Sequence, residues 1–223
     1  MKIQKFGIIA IVAVMMLNGA LFASDHDFGH WGAYGVKARI NDKTSFSSSM
    51  EFRFKDNASD LHYMKWETGL AYKVHKVVSL AAAYRLNPGE SSGEWNNAHY
   101  VILDQNFKLA TNAKWDLKFR NRFIFRAGEL GRGFWRTKLQ LAYKFKVGES
   151  KASWYVDNEI WYQISDINGR DRYNVNWATM GFNFSLHEHV AFGPYYRLRS
   201  DKVTTTGDWK HLHILGTSLN FVF

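Results

Sequence analysis

Two stretches between residues 114 and 147 alternate side-chain character at almost every step, and this restricts the fold more than any other feature. In KWDLKFRNRFIFR, residues 114–126, one parity carries Trp115, Leu117, Phe119, Asn121, Phe123 and Phe125. The other carries Lys114, Asp116, Lys118, Arg120, Arg122, Ile124 and Arg126. Residues 135–147 repeat the pattern, with Trp135, Leu139, Leu141, Tyr143 and Phe145 against Arg136, Lys138, Gln140, Lys144 and Lys146. Successive side chains of a strand point to opposite faces, so long alternation of this kind is a strand signal.

Eleven such segments are read along the chain: 28–40, 45–55, 62–74, 77–86, 97–109, 114–126, 133–147, 152–164, 171–186, 189–200 and 208–223. Their connections alternate in length. NDKT, HK, TNA, GES and HEH are tight, whereas DNASDL, NPGESSGEW, AGELGRG, SDINGRD and SDKVTTTG are longer. Short turns on one side and longer loops on the other mark an antiparallel up-and-down transmembrane β-barrel, the fold class expected here. An even count is usual for bacterial barrels, so ten or twelve strands stand beside the eleven counted.

A soluble barrel also alternates, with apolar side chains inside. Three features favour a membrane. The pairs Trp115/Phe125 and Trp135/Phe145 are each ten residues apart on the apolar face. At ~3.3 Å per residue and a tilt of ~40°, that spacing is ~25 Å, the height of the apolar band between aromatic girdles. The bulk of the apolar face would overfill a small barrel interior, whereas lipid accommodates it. The ending HILGTSLNFVF, with Leu219, Phe221 and Phe223 on one parity, is similar to the C-terminal signature that the barrel-assembly machinery reads.

The start of the chain agrees with export. Lys2 and Lys5 precede an apolar run from Gly7 to Leu17 and then small residues, the pattern of a secretory signal peptide. Cleavage after Ala23 is expected, giving a signal peptide over 1–23 and a barrel over 24–223. The location that follows is the cell outer membrane. Cysteine is absent, so no disulfide or lipid anchor through cysteine is available.

If the apolar parity meets lipid, the other lines the interior. The lining is expected to hold Arg53, Glu67, Arg85, Asp116, Lys118, Arg120, Arg122, Arg136, Lys138, Asp157, Glu159 and Arg197, together with Lys37, Arg39, Glu51, Lys65, Asp104, Lys108 and Arg199. Charges this dense must pair or stay wet. Two readings follow: a salt-bridged plug in a structural or surface-interaction protein, or a narrow electropositive pore that prefers small anions. Asn121 and Asn158 fit the lipid-facing parity poorly.

Chemistry at a rim is the third reading, and the motifs do not favour it. No H-E-x-x-H occurs, and G-x-S-x-G occurs once, as GESSG at 89–93, inside the expected loop NPGESSGEW and not at the strand-to-helix turn the motif requires, so no catalytic residue, metal or cofactor is assigned. HLH at 211–213 could hold a metal but reads first as interfacial histidine, as does HEH at 187–189. PYYRLR at 194–199 reads as a girdle and lumen pattern. The net charge of +9 suits outer-membrane lipids and lipopolysaccharide phosphates as partners. Nucleic acid is not expected, because the basic residues alternate inward instead of forming a patch.

The stretch 51–86, EFRFKDNASDLHYMKWETGLAYKVHKVVSLAAAYRL, resembles a family of bacterial outer-membrane barrels known only as a domain of unknown function (DUF2490-like). The matching positions are Glu51, Arg53, Phe54, Asp56, Asn57, Leu70, Tyr72, Lys73, Tyr84 and Arg85. The resemblance implies a barrel and the outer membrane, and it transfers no catalytic residue.

Overall fold

Each alternating segment forms a strand. The computed structural model describes residues 28–56, 58–91, 93–128, 133–164, 173–203 and 206–223. The expected signal peptide, 1–23, lies outside the described residues. The strands are β1 (Phe28–Arg39), β2 (Thr44–Lys55), β3 (Asp60–His75), β4 (Val78–Ser91), β5 (Glu94–Thr111), β6 (Trp115–Arg126), β7 (Gly133–Val147), β8 (Ser150–Gln163), β9 (Tyr173–His187), β10 (Val190–Lys202) and β11 (Trp209–Val222).

Consecutive strands pair antiparallel, and β1 pairs with β11 to close the barrel. The closing pair is parallel, running in register from Phe28↔His213 to Lys37↔Val222. An even count is therefore not observed. With eleven strands the first and last run in the same direction, and closure without an edge requires a parallel seam.

The turns are specified locally. Asn41 Oδ1 accepts the backbone N–H groups of Lys43 and Thr44 at 2.9 and 2.8 Å. Asn112 Oδ1 does the same for Lys114 and Trp115, at 2.9 and 2.7 Å. These Asx turns reverse the chain within a few residues. At the other end, the expected loop NPGESSGEW is mostly strand. Pairing continues through Asn87↔Ala98 and Pro88↔Asn97 to Ser91↔Glu94, and Gly93 takes the positive φ of +81° beside the reversal. Pro and Gly read as loop residues in the sequence, yet the register of β4 and β5 carries on through them.

The two faces divide as the alternation predicts. Tyr34, Met50, Leu70, Val101, Leu103, Leu139 and Met180 are exposed on the outside. Trp115 packs against Tyr143 and Trp154, with ring centres 4.8 and 5.9 Å away, in the half nearer the short turns. Trp135 contacts Phe123 and Tyr162, both at 6.2 Å, in the half nearer the long loops. Aromatic clusters thus lie on the outer face toward both ends of these strands. The outward asparagines are paired: Asn158 and Asn176 exchange amide hydrogen bonds of 3.1 and 3.3 Å, and Asn121 Oδ1 accepts from Trp135 Nε1 at 3.4 Å.

One interior fit is made by glycine. Tyr195 is flanked by Gly181 on β9 and Gly216 on β11. A Cβ on Gly181 would come within 2.7 Å of Tyr195 Cβ, and one on Gly216 would fall inside the Tyr195 ring. The glycines leave the space that the tyrosine fills.

Candidate functional site: the charged interior

The inner parity of β2 to β8 builds a belt of neighbouring ion-paired groups. Glu51 takes Arg53 at 2.7 Å and Lys65 at 2.9 Å. Arg85 Nε and Nη2 both donate to Glu67 Oε2, at 2.9 and 2.6 Å. Arg122 grips Asp104 in a two-pronged contact of 2.7 and 2.6 Å and reaches Glu67 at 3.0 Å. That last bridge spans from β6 to β3, which are not neighbours. Glu159 lies between Arg120 at 2.7 Å and Arg136 at 2.9 Å, and Lys138 pairs with Asp157 at 2.9 Å. The Glu159 and Asp157 side chains are only 3% and 2% exposed. Their fit depends on register: Lys138 stands opposite Glu159, and Gln140 opposite Asp157, across β7 and β8.

Toward the long loops the lining changes from carboxylates to aromatic rings. The Arg53 guanidinium lies 3.8 Å from the centre of Trp31 and 4.2 Å from that of Tyr63. Arg136 lies 3.8 Å from Trp161 and 4.9 Å from Trp177. Arg197 lies 4.4 Å from Trp177 and 5.2 Å from Trp31, and its Nε donates to Thr179 Oγ1 at 3.0 Å. Trp31 meets Trp177 edge-on at 5.4 Å, between β1 and β9, and both pack on the fully buried Ile214. Guanidiniums over indole faces are favourable, the more so when desolvated. A cavity of about 330 Å³ remains between belt and stack, lined by Arg85, Arg122, Arg136, Trp161, Trp177 and Arg197 among others.

The twelve charged residues expected inside all lie on inner-facing positions. Ten of them stand in the belt or the stack. Asp116 and Lys118 lie apart, close to the short turns, where Asp116 binds Lys144 at 2.8 Å and lies 3.8 Å from Lys118. Leu219 and Phe221 share the outward parity, and Phe223 is 63% exposed, with its ring stacked on His189 at 5.4 Å. Sequence reasoning missed the inward tryptophans, although Trp161 shares the parity of Asp157 and Glu159, and Trp31 that of Lys37 and Arg39.

The histidine motifs resolve into separate contacts. His213 Nδ1 pairs with Tyr196 Oη at 2.5 Å, and His211 Nδ1 with Ser200 Oγ at 2.9 Å. Among the described residues no cluster of three or more His, Asp or Glu is placed to hold a metal ion. The Ser200–His211 contact sits near the long-loop rim, and no carboxylate is seen orienting that imidazole among the described residues.

In comparison with protein families, residues 28–210 match the model of a protein of unknown function, DUF2490. No curated protein matches the chain.

Proposed function

Starting from a chain that belongs to the DUF2490 family, we propose that it is an integral outer-membrane β-barrel whose interior is blocked to ion flow. It serves as a structural or surface-interaction protein and not as an enzyme. The outward surface supports the membrane: a continuous girdle of Leu, Val, Met, Trp and Tyr would be an aggregation-prone patch in water. The long loops then face outside, toward lipopolysaccharide, and the short turns face the periplasm.

The observation that carries the block is the belt itself. Its five carboxylates are each engaged by Arg or Lys, and two of the bridges, Arg122–Glu67 and Arg120–Glu159, join non-adjacent strands. Arg53, Arg136 and Arg197 then narrow the space beyond to a cavity of about 330 Å³ by lying on Trp31, Trp161 and Trp177. Charges satisfied by one another leave little wet, free surface for an ion to follow.

A second reading, a small anion-preferring channel, is favoured by one feature: Arg53, Lys65, Arg85, Arg120, Arg122, Arg136, Lys138 and Arg197 outnumber the five carboxylates of the belt. The refolded barrel in a planar bilayer under a KCl gradient separates the two. Silence from a folded, heat-modifiable barrel is expected. Steady conductance with an anion-biased reversal potential would replace the blocked lumen with the channel.

A further inference from the structure

We propose that the basin at the short-turn end of the barrel binds a soluble polyanion carrying two or more phosphate groups. Three independent features build it, and none depends on whether the lumen conducts.

The first is space made by sequence. Inner positions on β2, β3 and β4 near the short turns are small: Ser45, Ser47, Ala71, Ser79 and Ala81. The facing wall, from β5 to β7, carries long cations. The result is a concavity of about 730 Å³ open toward the short turns. Sites for small ligands fall in the range of ~300–1,000 Å³.

The second is unpaired charge. Lys37, Lys43, Lys73, Lys76, Lys108 and Lys118 line the basin, and the lining contains one acidic side chain, Asp42, which Arg39 holds at 3.0 Å. Among the described residues the first five lysines have no carboxylate within ion-pair distance, and Lys118 has Asp116 only at 3.8 Å. The belt forms the floor through Arg120 and Lys138, which line both cavities.

The third is register. Lys108 and Lys118 stand directly opposite each other across β5 and β6. Like charges in that position destabilise a sheet. Deeper in the barrel the same arrangement recurs at Arg120↔Lys138 and Arg122↔Arg136, but there Glu159, Asp157, Asp104 and Glu67 lie between or beside the cations. Beside the Lys108/Lys118 pair the nearest acid is Asp116, 3.8 Å from Lys118 and held more closely by Lys144 at 2.8 Å. A bound anion supplies the missing counter-charge. Lysine ammoniums act as point charges toward phosphate, and several of them around one basin match a ligand with several phosphates better than one with a single phosphate. Ser45 and Ser79 on one wall and Asn106 and Gln140 on the other add neutral hydrogen-bonding groups to the basin.

The test is calorimetric titration of the full barrel in a non-ionic detergent with inorganic pyrophosphate, at low and at physiological salt. Saturable one-to-one binding is expected, at least tenfold tighter than for orthophosphate and weakened by salt. K108Q/K118Q should weaken it at least tenfold, and K37Q, on the far wall, severalfold. K210Q, near the long loops, should leave it unchanged. Non-saturable heat, or equal affinity in the wild type, K37Q and K108Q/K118Q, would overturn the site. An oligoglutamate peptide that binds as tightly, with the same losses, would overturn the phosphate assignment. Binding to vesicles containing phosphatidylglycerol but not to free pyrophosphate would overturn the soluble source. K37Q decides between these outcomes even if the double variant fails to fold.

Discussion

Replacing Glu159 by Gln tests the belt at its most buried link. The change keeps the volume and removes one charge. Glu159 is the shared counter-ion of Arg120, at 2.7 Å, and Arg136, at 2.9 Å. The Arg136 side chain is 7% exposed, and its Nε has no hydrogen-bond partner among the described residues. Asp157, the next acid on β8, is taken by Lys138. The variant therefore leaves two guanidiniums inside the barrel without compensation, and breaking a buried pair from one side costs about 3–5 kcal/mol. The exposed pair of Lys55 and Asp60, at 3.1 Å near the long loops, gives the internal comparison. D60N should cost about 0–1 kcal/mol.

Urea unfolding in phospholipid vesicles, followed by tryptophan fluorescence, reads both variants. With a denaturant slope of roughly 2 kcal/mol per molar, a loss of about 4 kcal/mol lowers the midpoint by about 2 M. R136M/E159Q should recover part of that loss, because the more buried of the two stranded cations goes with its partner while Arg120 remains. A midpoint for E159Q no lower than that of D60N would refute the reasoning. It would mean that water reaches the belt and screens it, and the channel reading would gain.

Three further outcomes follow from the packing. G216A places a methyl inside the Tyr195 ring and should destabilise by about 1–3 kcal/mol, measured by the same unfolding assay, with Y195A in that background relieving the clash. N158L strands the Asn176 amide on the outer face and should cost about 1–3 kcal/mol, whereas N158L/N176L should recover most of it in vesicles. Deletion of Phe223 should lower the level of protein in outer-membrane fractions while the purified, refolded barrel keeps its β-sheet circular dichroism.

What the sequence discloses depends on which signal a residue carries. Period two places every strand, and it places Arg120, Arg122, Arg136 and Lys138 inside, because long alternation leaves no freedom in which face a residue takes. It does not disclose partners across the lumen. Arg122 reaching Glu67 requires the closure of the barrel, and no local pattern relates residues 67 and 122. The hairpin at 87–98 is hidden for a different reason: Asn, Pro and Gly are turn residues by propensity, and continued pairing between β4 and β5 overrides that. The inward tryptophans are hidden by composition, since aromatic residues on a barrel read as lipid-facing until the parity of Trp161 with Glu159 is weighed. The outward asparagines, odd one at a time, become reasonable as cross-strand pairs.

The parallel seam is where this barrel should be weakest, and the interior is arranged against that. Parallel pairing has slanted hydrogen bonds and is slightly less stable than antiparallel pairing. At one end Trp31 of β1 packs with Ile214 of β11 and Trp177 of β9, clamping the seam from inside. At the other, the Phe223 N–H donates to the Lys37 carbonyl at 2.9 Å, and the Arg39 N–H donates to the Phe223 carbonyl at 2.8 Å. W31A removes the first clamp, and truncating a buried tryptophan costs about 3–5 kcal/mol. The loss should be local: amide exchange should accelerate along β1 and β11 and stay unchanged in β4 and β5. Equal acceleration around the whole barrel would show that Trp31 supports the interior as a unit and that the seam is no weaker than the other ladders.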